Sequence, residues 1–355
     1  MKILHVVPTY LPARRYGGPI FAVHGLCRAL VRRGHDVTVF TTNVDGDSVS
    51  DVPLDAEVMM DGVRVRYFAS SMPRLYVSAG MRAALRDVSA FELVHNHSVF
   101  LWPTAAAARA AKRQRVPYVI SPRGMLVREL IERKSRLVKS AWIRLFERRN
   151  FANAAAIHFT SQRELDDARA VGIPIPMPFV IPNGIDVVPR PDVPRDPRTV
   201  VYLGRINWKK GLDRLIEATP RDAKLIIAGN DEENLTPKLR ALAAGRDVEF
   251  RGPVYDAEKW ELLARATVFV LPSLSENFGN VVLEAMLMET PVVVSRAVGV
   301  DIGEAGIATD DFAPAISSLL ADPSRGRLGP AIVESKFTWD AVAARMENEY
   351  RCSIA

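Results

Sequence analysis

The chain is poor in cysteine, with only Cys27 and Cys352 among 355 residues. Two thiols build neither a disulfide framework nor a cysteine metal cluster, so the expected setting is a reducing, cytoplasmic one. No apolar run approaches the ~18 residues that a membrane-spanning helix needs. Met1-Lys-Ile-Leu-His-Val-Val-Pro8 goes straight into a strand-like run, without the long apolar region of a signal peptide. Neither half carries Gly-x-Gly-x-x-Gly after a first strand, which argues against a dehydrogenase. No nucleic-acid-binding motif is present, so nucleic acid is not an expected partner.

What is there is an ordinary globular composition, 48% hydrophobic and 25% charged, and therefore enough apolar material for real cores. A chain of this length exceeds one core and fits two domains of about 150 residues each. The net charge of +6 is unevenly spread. Between Arg123 and Arg149 stand nine basic residues against three acidic ones. Leu126, Val127, Leu130, Ile131, Leu137, Val138, Trp142, Leu145 and Phe146 are interspersed at roughly helical spacing. Residues 126–149 therefore read as a basic amphipathic helix. Such a helix either lies on an anionic membrane surface or shows a solvated face above an internal core.

Along the first half, strand-like and helix-like stretches alternate. Ile3–Val7, Asp36–Thr41, Val63–Phe68, Leu93–His95, Tyr118–Ser121, Ala156–Phe159 and Phe179–Ile181 read as strands. Helices are expected from Pro19 to about Arg33, from Pro103 to Arg113 and from Ser161 to Ala170. Alternation of this kind argues a parallel sheet covered on both faces. Five prolines between Pro182 and Pro197 then mark a boundary. After it the pattern restarts, with strands at Thr199–Leu203, Lys224–Ala228, Val248–Phe250, Thr267–Leu271 and Pro291–Ser295. The expected division is a domain at 1–182, a linker at 183–198, a second domain at 199–337 and a terminal helix from Trp339.

Chemistry concentrates in the second half. In Leu271-Pro-Ser-Leu-Ser-Glu-Asn-Phe-Gly-Asn-Val-Val-Leu-Glu-Ala285 a strand runs into a polar turn and then a helix. The backbone N–H groups at that helix start suit an oxygen-rich ligand. Glu276 before the turn and Glu284 one turn into the helix suit pairs of sugar or ribose hydroxyls; alternatively Glu284 favours the helix dipole and Glu276 is solvated. Val201-Tyr-Leu-Gly-Arg-Ile-Asn-Trp-Lys-Lys-Gly211 places Arg205 and Lys210 at a strand's carboxyl end, where they can hold a diphosphate or form a solvated basic turn. Gly17-Gly18 allows close backbone approach in the first strand–helix loop. His95, Asn96 and His97 stand at a strand end, and no third metal ligand lies near them in sequence. Asp45-Gly-Asp47 formally matches an Asp-x-Asp metal motif but reads as a turn, and no metal is expected.

Glu276-Asn-Phe-Gly-Asn-Val-Val-Leu-Glu284 resembles the Glu-x7-Glu signature of the retaining glycosyltransferases of family 4, which have the GT-B fold. The resemblance extends along most of the chain. Gly204-Arg205…Lys210-Gly211 resembles the family's donor-phosphate motif, Gly17-Gly18 its Gly-Gly loop, and Ile181-Pro-Asn-Gly-Ile-Asp186 its linker entry. It implies an α/β architecture of two Rossmann-like, doubly wound parallel-sheet domains facing a central cleft. The first would serve the acceptor and the second the donor, with helix 338–355 packing back on the first.

Carried over, Arg205 and Lys210 bind the donor diphosphate, with Lys209 the weaker candidate. Glu276 and the backbone N–H groups of Phe278, Gly279 and Asn280 hold the sugar, Asn277 and Val281 are further donor-binding candidates, Glu284 holds the ribose, and Gly17 and Gly18 face the donor phosphate and the acceptor. His97 matches an acceptor-side histidine, which on its own residues reads equally as a hydrogen-bonded loop histidine. Ser121-Pro-Arg-Gly-Met-Leu126 departs from the family: Arg123 stands where many members have a sugar-contacting histidine. This version occurs in a bacterial branch that builds surface polysaccharide.

The implied reaction moves a hexose from a nucleoside-diphosphate sugar to a hydroxyl of a saccharide acceptor, with retention and without metal or other cofactor. A lipid-linked acceptor would place the protein on the inner face of the cytoplasmic membrane through 126–149. Donors that hold charge at the leaving diphosphate act mainly on the transition state, and two domains closing over the cleft would exclude water. The competing readings are a nucleotide-sugar 2-epimerase of the same architecture and a non-catalytic nucleotide-sugar-binding subunit.

Overall fold

The computed structural model describes every residue except Arg14, Tyr16, Lys134, Ser135 and Ala355. The chain divides into two compact units, Met1–Gly184 with Trp339–Ala355, and Ile185–Thr338.

The first unit is built on an eight-stranded sheet. Its strands run in the order Pro178–Val180, Ala156–Phe159, Tyr118–Ser121, Leu93–His97, Lys2–Thr9, Asp36–Thr42, Val63–Phe68 and Glu57–Met60. All neighbours are parallel except the last pair. The edge strand Glu57–Met60 alternates exposed and half-buried residues, a pattern too polar to stand out in the sequence. Alternation along the central strands sends Leu4, Val6 and Val94 into one apolar cluster, and Ile3, Val37 and Leu93 into another on the opposite face. The Asp45-Gly-Asp47 segment is the turn of a two-residue hairpin, Val44–Asp45 with Ser48–Val49. Asp47 there is exposed and paired with Arg15 at 3.3 Å.

Helix Trp339–Ile354 completes the second cluster. The Trp339 ring occupies the space above Gly25 and Gly184, where a Cβ would stand 2.2 and 2.4 Å from it. Val342, Ala343, Met346 and Tyr350 are buried along the same helix, and Arg33 pairs with Glu347 at 2.8 Å.

The basic segment is helical throughout its described residues from Arg128 to Ala152, with one irregular turn. Helices Arg128–Arg133 and Arg136–Trp142 flank Lys134 and Ser135, which lie outside the described residues. A π-helical turn, Ile143–Glu147, follows, and then Arg148–Ala152. The turn coincides with a buried carboxylate. Glu147 accepts from the Phe100 N–H at 2.9 Å and from Trp142 Nε1 at 2.8 Å, fastening the segment to the interior.

The second unit carries a six-stranded, wholly parallel sheet. Its order is Val248–Arg251, Lys224–Ala228, Thr199–Leu203, Val268–Leu271, Val292–Val294 and Gly306–Ala308. The near-continuous apolar strands follow from burial on both faces. The proline-rich stretch is strapped to this unit rather than spanning free. Arg190 donates to the Ala264 carbonyl at 3.1 Å and Arg195 to those of Ala266 at 2.7 Å and Glu289 at 2.9 Å. Guanidinium groups here supply the fixed contacts that proline, lacking an N–H, cannot make.

Candidate active site

In the second unit, strand Thr199–Leu203 ends at Gly204, and a loop with a 3₁₀ turn at Trp208–Lys210 follows. Gly211 adopts φ +61° with its Cα against the Pro272 carbonyl, from which a Cβ would stand only 2.5 Å away. That approach lets the Leu274 N–H donate to the Lys209 carbonyl at 2.7 Å. Two segments far apart in sequence are thereby stitched backbone to backbone. As a result the Lys210 ammonium donates to the Glu276 carboxylate in a half-buried ion pair.

Arg205 belongs to the same corner. The Tyr202 hydroxyl donates to the Arg205 carbonyl at 2.7 Å. The Arg205 guanidinium pairs with Glu232 at 3.2 Å, and Asn207 donates to the same carboxylate at 3.2 Å. Burial pushes the Tyr202 phenol up, and the charges of Glu276, Arg205 and Glu232 also act on it. Gly279, at φ 86°, caps helix Asn280–Leu287, which takes Val281 into its first turn. Phe278 is buried and lies 6.1 Å from the Phe337 ring, fixing the turn to the core. Glu284 stands apart from the Lys210–Glu276 pair, held by Lys259 at 2.8 Å.

In the first unit, Gly17 has φ 62° and Gly18 and Pro19 open helix Gly18–Arg32. The histidine region differs from expectation. The strand continues to His97, and His95, Asn96 and His97 are all buried rather than set on an open strand end. Register places His95 beside His5, and Ser121 beside His97.

Two directed hydrogen-bond chains result. The Ile181 carbonyl can only accept, so His158 Nε2–H donates to it at 2.8 Å and leaves His158 Nδ1 as an acceptor. Ser121 then donates to His158 at 2.7 Å and accepts from His95 Nε2–H at 2.6 Å. His95 Nδ1 is left to accept from the Tyr350 hydroxyl at 2.5 Å.

The second chain starts at Arg123, which donates to His97 Nδ1 at 3.2 Å. His97 Nε2–H donates in turn to His5 Nδ1 at 2.9 Å, and His5 Nε2–H is buried without a partner. Burial, with Arg123 nearby, lowers His5 and His158 to about 3, and burial with the neighbouring imidazoles lowers His95 and His97 as well. All four rings are neutral. The ring nitrogens of His5, His95 and His97 lie within 4.8 Å of one another, the spacing of a metal site. Each lone pair there is already accepting a hydrogen bond, and Arg123 adds positive charge, so the donor set does not fit a cation.

Arg123 is half-buried, at φ 55°, and also donates to Asn183 at 2.9 Å. Its turn is held by Glu164, which accepts from the Gly124 N–H at 2.6 Å and the Thr160 N–H at 2.7 Å. His97 thus stands behind Arg123 rather than beside it. Sequence reasoning missed His5, His158, Glu164, Tyr350, Lys259 and Glu232. The Ser161-x-x-Glu164 spacing signals a capping box; the others carry no local pattern.

Comparison with known proteins bears on both units. Residues 17–184 match the family model "Glycosyl transferase 4-like domain" and residues 197–322 match "Glycosyl transferases group 1". Glycogen synthase of Mycobacterium tuberculosis is 30% identical over 402 residues, covering 99% of this chain and 94% of that protein. D-inositol 3-phosphate glycosyltransferase of Corynebacterium diphtheriae is 31% identical over 184 residues, covering 44% of this chain and 43% of its own. Among solved structures, Anabaena Alr3699/HepE in complex with UDP and glucose superposes with a TM-score of 0.74 at 18% identity, over 99% of both chains. Sucrose-phosphate synthase from Thermosynechococcus elongatus gives 0.74 at 22% identity, over 99% of this chain and 98% of that one. The chain belongs to the GT-B-fold glycosyltransferases, with a glycosyl transferase 4-like domain followed by a group 1 domain.

Proposed function

We propose that this chain is a retaining hexosyltransferase of family 4 that takes a hexose from a nucleoside-diphosphate sugar to a hydroxyl of a lipid-linked saccharide, in surface-polysaccharide or glycolipid synthesis. The observation that carries it is the Lys210–Glu276 pair, fastened by the Leu274–Lys209 backbone bond, with the Arg205 carbonyl held by the Tyr202 hydroxyl. An ammonium has three N–H donors. One satisfies Glu276 and the others remain for phosphate oxygens, so cation and acid work side by side.

In this mechanism Arg205 and Lys210 stabilise the negative charge that grows on the departing diphosphate. Glu276, with the backbone of Asn277, Phe278, Gly279 and Asn280, accepts and orients the sugar hydroxyls. Glu284 holds the ribose, released in part from Lys259, and Val281 lines the nucleotide. Gly17 and Gly18 present backbone N–H groups to phosphate. The acceptor hydroxyl attacks the anomeric carbon on the face the diphosphate leaves, and a phosphate oxygen takes its proton. Arg123, backed by His97, contacts the sugar or the acceptor. The cations carry the charge that a metal would otherwise neutralise.

Work at the inner face of the membrane fits the basic segment 126–149; no described helix is long and apolar enough to cross one. The test is a thermal-shift panel of nucleoside-diphosphate sugars followed by a transfer assay. One donor should stabilise the protein selectively and be consumed only with an acceptor. Epimerised donor in the absence of acceptor would replace this reading with the epimerase, and donor binding without turnover under any condition would replace it with a binding subunit.

A further inference from the structure

Among the described residues, Arg123 has no counter-ion, only neutral acceptors. Its Nε–H and one Nη2–H share the lone pair of His97 Nδ1, at 3.3 and 3.2 Å. One Nη1–H goes to the Asn183 side-chain oxygen at 2.9 Å. A guanidinium carries five N–H donors, so one on each terminal nitrogen is left over. Burial lowers Arg123 from its ordinary pKa, and the charge of Glu164 opposes that from a distance. Glu164 spends one oxygen on the Gly124 N–H at 2.6 Å and the other on Thr160, whose N–H and hydroxyl lie at 2.7 and 2.9 Å. A half-buried cation in this position is costly until something negative completes it.

The rest of the cluster has nothing to offer a ligand. His95, Ser121, His158 and Tyr350 are spent on one another and on the Ile181 carbonyl. His5 Nε2–H, also unmet, is sealed inside, with His5 0% exposed. Arg123, His97 and Asn183 stand at or beyond the carboxyl ends of the parallel strands Tyr118–Ser121, Leu93–His97 and Pro178–Val180. Open α/β sheets take their ligands on that side. Arg123 and Gly124 are both left-handed, at φ 55° and 74°. Two such residues in succession, one of them not glycine, cost energy and persist because Glu164 grips the turn.

The chemistry that fits is a monoanion with two coplanar oxygens. The spare N–H groups stand on the two terminal nitrogens of one plane and match a carboxylate as a fork. One guanidinium balances one negative charge. A phosphate monoester brings nearly two, and no second cation acts on Arg123 among the described residues.

We infer that Arg123 is a carboxylate-binding site, and that one of the two sugars joined in the reaction, the transferred one or the acceptor residue, is a uronic acid. The inference deepens the proposed transfer and rests on it, giving a charge to a saccharide so far named only by class.

The test is calorimetry on the full chain with glucuronate and galacturonate, each against its neutral hexose at matched ionic strength. Each pair is titrated free, in the presence of the nucleoside diphosphate that the donor panel selects, and joined to that nucleotide. The wild type should bind a uronate at least about ten-fold more tightly than its hexose. Arg123→Met should abolish the preference. Arg123→Lys, which keeps the charge without the fork, should restore only part of it. Both variants should still bind the nucleoside diphosphate, which reports on folding and on the second unit. If the acceptor carries the carboxylate, free uronate binds alongside the nucleoside diphosphate; if the transferred sugar carries it, the preference lies between the two nucleotide-linked sugars. Equal binding of uronates and hexoses in every form, or a preference that survives Arg123→Met, overturns the carboxylate site while nucleoside-diphosphate binding still reports on the transferase reading. Loss of nucleoside-diphosphate binding by both variants would make Arg123 a diphosphate ligand and overturn it as well.

Discussion

Tyr350 donates its hydroxyl hydrogen to Nδ1 of His95 across 255 residues of sequence. That single bond ties the terminal helix to the central strands and closes the chain whose direction the Ile181 carbonyl sets through His158, Ser121 and His95. Tyr350→Phe preserves the ring but leaves a buried lone pair unmet, at a cost of about 1–3 kcal/mol. The urea midpoint of the variant should fall accordingly. An unchanged midpoint would mean that the bond contributes nothing to stability.

Acid should unfold the first unit well before its carboxylates are all titrated. His5, His95, His97 and His158 are held below their ordinary pKa, so the unfolded chain binds protons first as pH falls through about 6.5. Their contribution is complete above that pH and is lost progressively toward about 3, the value reached by His5 and His158. Each ring costs about 1.36 kcal/mol per pH unit across that window. Glu147 and Glu164, pushed up by burial, act in the opposite sense, two groups against four. Urea midpoints should therefore drop steeply between pH 6.5 and 5. A flat profile there would show that the rings are not neutral.

Arg205→Ala and Lys210→Ala should each lower kcat about 10²–10³-fold, the scale of one lost oxyanion donor, and the double variant should show no measurable transfer. Wild-type turnover in the double variant removes the phosphate assignment. If these two cations do the neutralising, as proposed, a chelator should leave the wild-type rate unchanged, and inhibition that added divalent cation reverses would show that they do not suffice.

Glu284→Ala should weaken nucleotide binding about ten-fold through loss of one charge-assisted pair, while Lys259→Ala frees the carboxylate and leaves binding equal or tighter. Calorimetry with the nucleoside diphosphate measures both. Unchanged affinity in Glu284→Ala discards the ribose role.

The parallel strands were legible because burial on both faces writes them as short apolar runs, as in Thr199–Leu203 and Tyr118–Ser121. Polar edge strands such as Glu57–Met60 carry no such run. Lys210 and Glu276 were legible as motif residues, yet their meeting depends on Gly211 lying against Pro272, which no local pattern announces. The histidine chains were the least accessible. Their members come from four strands and the terminal helix, and what joins them is sheet order, which spacing along one strand does not encode. The same limit hid the π-helical turn in the basic segment, where a carboxylate is drawn inward to meet the Phe100 N–H.

The Ile185 N–H bonds the Phe337 carbonyl at 2.7 Å, so residues 185–338 depart from the first unit and rejoin it at one spot. Genetically, they form a single uninterrupted block whose ends already touch. Recombination can exchange that block with one pair of crossovers, without disturbing the scaffold that Trp339 and Tyr350 close. The reverse exchange requires two separate gene segments to travel together.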